Sequence, residues 1–329
     1  MNRKQIIVKN VSLGVLYKVL NMGIVFTTIP LLLNYLEKEQ YGIWVTIFSL
    51  VNIVFFVDAG IGNGLKTKLT ESLSNKNYKL AKTYISTAYI SISLISLIIL
   101  SIGIVIIYSI NLNELFNTLV LSNTELRKIL LVTLTLVISG FILNLYKSFY
   151  YANQQASKVE FALLIYQIII LIFITILLNF FQRSLLLIAF LYGFSNIIIG
   201  VIFTILFFRR NNTIKPSIQS FSKEKVKDLM GLSLAFFVIQ LCMIVIFTSD
   251  NLMITNLIGP KEVANYDIVY KLFQVIITIS VITIDPFWAL FTDAYQKQDF
   301  NWIKKTILKI NKIFLLFILL VVFFYYSSE

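Results

Sequence analysis

The chain has 329 residues, of which 58% are hydrophobic and 13% charged, against roughly 25% charged in an ordinary soluble domain. With no His and a single Cys, Cys242, it lacks the parts for the usual His- and Cys-based metal centres, Ser-His triads, Cys-His dyads and disulfide frameworks. An aromatic content of 15% excludes a disordered chain, and a net charge of +12 takes its meaning from where the charges sit.

Nine apolar stretches follow one another at approximately 11–36, 41–62, 83–110, 129–150, 161–181, 185–208, 230–258, 263–284 and 306–326. Each is about the 20 residues that one helical crossing of a bilayer needs, and lipid offers no partner to backbone N–H and C=O groups, so each is expected to be a helix. The first stretch exceeds the roughly 7–15 apolar residues of a signal peptide and no small-x-small cleavage pattern follows it; it reads as a retained helix. The expected fold is all-α, a polytopic transmembrane bundle of about nine helices.

The basic residues sort by side. The N-terminal end and alternate connections (66–82, 147–158, 209–227, 297–312) together hold 22 Lys and Arg, while the opposite side holds only Lys38, Arg127, Lys128, Arg183 and Lys261. That asymmetry places the N-terminus in the cytoplasm. The basic connections then read as topology signals facing anionic membrane lipids, and no nucleic-acid partner is expected. The longest connections, 63–82 and 209–229, are well short of the ~50 residues of a soluble domain. No enzyme, metal or cofactor is expected.

A single constant shift along the sequence places Leu36 on Ile258, Gln40 on Glu262, Thr70 on Thr292, Glu71 on Asp293, Asn77 on Asp299, Tyr78 on Phe300 and Lys82 on Lys304. It maps the first three helices on the seventh to ninth, so the expected architecture is a six-plus-six repeat. Residues 1–229 are expected to form a six-helix N-terminal lobe, and 230–329 the first three helices of a C-terminal lobe that is truncated here.

Ionisable groups inside a bilayer are functional candidates because a central charge costs about 2.5–3.5 kcal/mol on insertion scales. Lys18 and Asp58 lie near the cytoplasmic ends of helices one and two; snorkelling of Lys18 and a helix-end Asp58 are the structural alternatives. Asp250 in helix seven and Lys271 in helix eight sit at similar depth, with Asp267 one turn before Lys271, so the three are expected to line a functional cavity, with a structural ion pair as the alternative. Hinge candidates are Pro30, Pro286, Gly193 and Gly200, the last two equally suited to close helix packing. The run Gly60–Gly64 follows an apolar helix rather than a strand, so it reads as a flexible helix exit and not a nucleotide loop.

The segments Leu36-Glu-Lys-Glu-Gln-Tyr-Gly-Ile-Trp44, Asp58-Ala-Gly-Ile-Gly-Asn-Gly-Leu65, Asn77-Tyr-Lys-Leu-Ala-Lys82 and Ile258-Gly-Pro-Lys-Glu-Val-Ala264 resemble the polysaccharide-export flippases of the multidrug/oligosaccharidyl-lipid/polysaccharide exporter superfamily. The resemblance implies a bacterial plasma-membrane flippase that moves a polyprenyl-pyrophosphate-linked oligosaccharide from the cytoplasmic to the outer leaflet for O-antigen, capsule or related polymers, beside polysaccharide polymerase partners. It also implies two lobes around a cavity whose cations receive the anionic carrier; the embedded cations here are Lys18, Lys147 and Lys271. Other readings stay open: a cation-coupled multidrug exporter in which Asp58, Asp250 and Asp267 bind H⁺ or Na⁺, a lipid-linked glycosyltransferase, or a noncatalytic component of a polysaccharide assembly complex.

Overall fold

A computed structural model describes residues 3–56, 60–230, 242, 249–275, 277–278 and 298–327. Every regular element among them is helical. The chain groups into two compact units, 1–268 and 269–329.

The first unit opens with α1 (Arg3–Asn52), which together with the start of the 3₁₀ turn after it forms an apolar span, Ser12–Phe55, 44 residues long. At 1.5 Å per residue a straight helix of that length would reach about 66 Å, twice the hydrocarbon thickness. It is broken instead at Glu37, whose φ of 62° and ψ of 166° lie outside the helical region. The contacts on either side show a reversal. Tyr17 packs on Phe161 with ring centroids 5.3 Å apart, and the Tyr35 hydroxyl donates to Gln182 O at 2.8 Å, so the first arm runs alongside α7 (Ala156–Phe180) in the same direction. Past the break, Trp44 packs on Tyr192 at 5.1 Å and Phe48 on Tyr192 at 5.6 Å, against α8 (Leu185–Arg210), which returns from α7. Pro30 lies within the first arm with the helix continuing through it, and the break falls seven residues later.

After a 3₁₀ turn at Ile53–Phe56, Gly60 takes a left-handed φ of 71° and starts α2 (Ile61–Ser74). The glycine run therefore begins a helix where the sequence predicts a flexible exit. α3 (Tyr78–Ser109) crosses back; α4 (Leu112–Phe116) caps that side; α5 (Asn123–Leu143) and α6 (Tyr146–Ala152) return. α2 and α9 (Lys223–Met230) lie on the N-terminal side, where a Cβ on Gly64 would collide with the Leu229 carbonyl. Backbone at Ser217 and Ser222 donates to Ser86 Oγ and Thr87 Oγ1 on α3, so the long 209–229 connection is fastened to the bundle.

α5 and α8 approach closely because glycines lie where their ridges meet. A Cβ on Gly193 would strike Leu136, one on Gly200 would come within 2.7 Å of the Leu143 Cβ, and one on Gly140 would strike the Asn196 amide. Without a hydrophobic drive between helices in lipid, such small-residue contacts supply the packing. Gly193 and Gly200 thus occupy a helix seam.

Beyond α9, α10 (described residues 249–257) and α11 (260–275) are joined through Gly259, φ 129°. In the second unit, α12 (Phe300–Ser327) follows a turn at Gln298. Local geometry recurs under the shift that relates the sequence repeats: the positive φ of Glu37 is matched at Gly259, and that of Lys76 (54°) at Gln298 (57°). Asn77 Oδ1 accepts from Leu80 N at 3.0 Å, and Asp299 Oδ1 accepts from Trp302 N at 3.0 Å.

Candidate functional site

A cavity of about 250 Å³ lies among α1, α5, α6, α7 and α8. Its polar lining comes from separate elements: Asn52 at the end of α1, Thr133 on α5, Asn144, Tyr146 and Lys147 at the α5–α6 break, Tyr166 on α7, and Tyr192 and Asn196 on α8. Trp44, Phe48 and Phe55 supply an aromatic wall on one face of the second α1 arm. The α5 helix stops at Asn144, which turns Lys147 inward. Gly140 leaves room for the Asn196 amide, so the α5–α8 seam also positions a cavity group.

At the N-terminal end of the cavity, Lys147 lies within electrostatic reach of Glu160. The Lys18 ammonium stands 3.8 Å from the same carboxylate, and Gly14 abuts the Glu160 side chain. Lys18, a predicted site residue, is thus paired across helices. Glu160, which holds it, escapes a reading of the sequence because it sits just before an apolar stretch rather than within one.

At the far end the cavity wall meets a polar seam. The Tyr41 hydroxyl donates to Asp267 Oδ2 at 2.5 Å, both side chains are buried, and Asp267 lies within electrostatic reach of Tyr192. One turn along, Thr46 and Thr255 share a 2.5 Å hydrogen bond. Glu39 accepts from Thr118 at 2.8 Å and pairs with Lys261 at 3.5 Å. A Cβ on Gly42 would collide with the Pro260 backbone. Asp250 accepts from the Tyr266 hydroxyl at 2.6 Å. The predicted carboxylates Asp250 and Asp267 are therefore each engaged by a phenol. Lys271 belongs to the second unit. Asp58 and Pro286 lie outside the described residues.

Along the second α1 arm, Tyr41, Trp44, Phe48, Asn52 and Phe55 recur at helical spacing. This strip joins the Asp267 seam to the cavity above Lys147 and Glu160. Three amides, an ammonium, three phenols and the Thr133 hydroxyl between aromatic walls present donors and acceptors to a polyhydroxylated ligand while stacking on its apolar faces.

A family model described as polysaccharide biosynthesis protein matches residues 7–285. No curated protein matches the sequence. Among solved structures, the chain is similar to an inward-facing multidrug resistance MATE family transporter of the MOP superfamily, with a TM-score of 0.68, 14% identity, and 86% of this chain and 66% of that one covered. An outward-facing structure of such a transporter gives 0.63, 13%, 85% and 61%. The fold is that of these transporters, and the chain spans just under two thirds of their length.

Proposed function

The chain belongs to the polysaccharide biosynthesis protein family, and on that footing we propose that it is a lipid-linked oligosaccharide flippase of a bacterial plasma membrane. The membrane-spanning helices carry the protein through the bilayer. The observation that carries the reading is the cavity lined by Asn52, Asn144, Lys147 and Asn196 between aromatic walls. Amide and ammonium donors facing aromatic rings suit sugar hydroxyls and C–H faces together, and they lie at membrane depth, where an unpaired polar group is costly.

In this reading the N-terminus is cytoplasmic and residues 1–229 form one lobe, with a second lobe beginning at about 230. The recurrence of left-handed residues and helix caps at the repeat spacing supports the duplication. Lys147, with Lys18 and Glu160 beside it, receives the anionic carrier end from the cytoplasmic side. Asp250 and Asp267, held by Tyr266 and Tyr41, are the coupling candidates at the far side, and Lys271 joins them as a candidate cation.

The test is expression in a strain that lacks its own repeat-unit flippase but retains the matching glycosyltransferases and polymerase. Restored surface polysaccharide, lost again in Lys147→Met, supports the reading. Raised drug resistance without polysaccharide would instead establish the multidrug-exporter alternative, and membrane insertion with neither phenotype would leave an assembly role.

A further inference from the structure

The second α1 arm has another face. Where Phe48, Asn52 and Phe55 turn toward the polar cavity, Leu50, Val51, Ile53 and Val54 line a separate groove of about 450 Å³. Its other walls are α3 from Ile99 to Ile107 with Ile110 at its end, α4 at Leu112, Leu115 and Phe116, α5 at Leu130 and Leu134, and Leu252 of α10. Every lining residue is apolar, and the neighbouring α3 surface is exposed at Leu97, Ile98, Ile102 and Val105. The groove is thus continuous with the lipid-facing side of the bundle.

One charge stands at its rim. Arg127 shares a face of α5 with Leu130 and Leu134, at i, i+3 and i+7, about 6 Å inside the helix start. Its guanidinium lies over the Tyr108 ring, 5.5 Å from the centroid, and its Nε is buried with no hydrogen-bond partner. Among the described residues it has no carboxylate partner. The acid of the same turn, Glu125, is occupied by the Ser122 backbone and hydroxyl, each at 2.8 Å. Arg127 also faces the positive end of the α5 dipole, which disfavours a cation there. An anion next to the groove would satisfy both conditions.

We infer that this groove binds one anionic glycerophospholipid of the leaflet opposite the N-terminus, with an acyl chain against Val51, Ile102 and Leu134 and its phosphate on Arg127. Charge complementarity selects the headgroup, since Arg engages phosphate oxygens through a rigid fork of donors. The groove's opening to lipid selects the source. Bulk phospholipid surrounds that face, and the α1 arm separates the groove from the polar cavity, so a substrate whose sugars occupied the cavity would have the helix between its head and this groove. The lipid is a resident wedge between α1 and α3, independent of what the protein transports.

Native mass spectrometry of the full chain, extracted in mild detergent and titrated with dioleoyl-phosphatidylglycerol or dioleoyl-phosphatidylethanolamine, tests this. The wild type is expected to hold one phosphatidylglycerol in preference to phosphatidylethanolamine. Arg127→Gln should weaken that binding about tenfold, as loss of one strong charge-assisted contact does. Ile106→Trp, which fills the groove while keeping the charge, should weaken it as much, and Lys128→Gln, an equal charge loss one residue off the groove face, should leave it unchanged. Phosphatidylglycerol should raise the melting temperature of the wild type and not of Arg127→Gln. Equal retention of both lipids, retention unaffected by Arg127→Gln and Ile106→Trp, a copurified polyprenyl phosphate in place of phospholipid, or a second copy of the chain at this face would each overturn the proposal.

Discussion

The Tyr41 hydroxyl and the Asp267 carboxylate meet at 2.5 Å across 226 residues of chain, both buried. This contact ties the start of the second α1 arm to α11, and no apolar packing can substitute for it. Removing the hydroxyl takes one hydrogen bond from a buried carboxylate, which costs about 1–3 kcal/mol. Tyr41→Phe is therefore expected to lower the melting temperature of the detergent-purified protein by several degrees. Asp267→Asn, which retains an acceptor for the phenol, is expected to lose less. Equal melting temperatures for wild type and Tyr41→Phe would remove the contact from the set that holds the seam.

Two glycines in α1 separate packing from propensity. A Cβ on Gly23 meets nothing within 4 Å, whereas one on Gly42 collides with the Pro260 backbone. Gly23→Ala gains the helix preference of Ala over Gly, about 0.5–1 kcal/mol. Gly42→Ala forces α11 away from α1, and overpacking of this kind costs about 1–3 kcal/mol. Thermal melting should move in opposite directions for the two variants. A fall for Gly23→Ala would mean that the lipid-side surface of the first arm is covered.

Much of this architecture is legible in the sequence because lipid leaves the backbone one solution. The apolar runs locate α3, α5, α7 and α8 to within a few residues, and the polar turn near Glu37 locates the reversal. The α2 helix is not legible. Its residues are near neutral in hydropathy, and Gly60, Gly62 and Gly64 read as a loop, whereas Gly60 supplies a left-handed start and Gly64 a close approach to α9. The cavity is hidden for a different reason. Asn52, Asn144 and Asn196 are uncharged, so a search of apolar stretches for ionisable groups passes over them, although an amide at that depth is itself a signal. Tyr41 escapes likewise, because a phenol in an aromatic-rich chain looks like packing until its acid partner is placed beside it.

The cavity itself makes a prediction that separates function from stability. Lys147→Met removes a partly buried cation whose nearest anionic influence is Glu160, and replacing a buried charge by an apolar side chain of similar length is often neutral or stabilising. Melting temperature is expected to hold or rise. Translocation of lipid-linked oligosaccharide into proteoliposomes is expected to fall about tenfold or more, since one charge contact is worth at least about 1.4 kcal/mol in such a setting. Unchanged translocation with unchanged stability would remove Lys147 from the substrate path.

On the N-terminal surface, Asp228 accepts from Lys225 at 2.8 Å and from the Tyr84 hydroxyl at 3.0 Å. The Lys225 hydrogen bond first, and the Tyr84 hydrogen bond second, hold the Asp228 carboxyl below its ordinary value. A depressed carboxylate stabilises the fold above its unfolded pKa, and that contribution disappears as pH falls through the folded one. Lys225 is raised by the same bond, so its part is complete below its ordinary value and is lost only at strongly alkaline pH. Hydrogen exchange of α9 should therefore be slower in the wild type than in Asp228→Asn near neutral pH, with the difference fading as pH falls below the ordinary carboxylate range. No difference between the two at any pH would mean that α9 is held by Leu229 against Gly64 alone.

The repeat yields the last prediction. α2 ends with Asn77 N–H on Ser72 O at 2.8 Å and Lys76 N–H on Leu73 O at 3.0 Å, the paired bonds of a Schellman cap, which places Lys76 at the position where glycine is favoured. Gln298, its counterpart in the repeat, has nearly the same φ and also precedes a capped helix. A non-glycine residue held left-handed costs about 1 kcal/mol. Lys76→Gly and Gln298→Gly should each recover part of that, raising the melting temperature by a similar amount, and the double variant should show the sum. A gain at Lys76 with a loss at Gln298 would mean that the second turn is not the structural equivalent of the first, and the two-lobe reading would lose its backbone support.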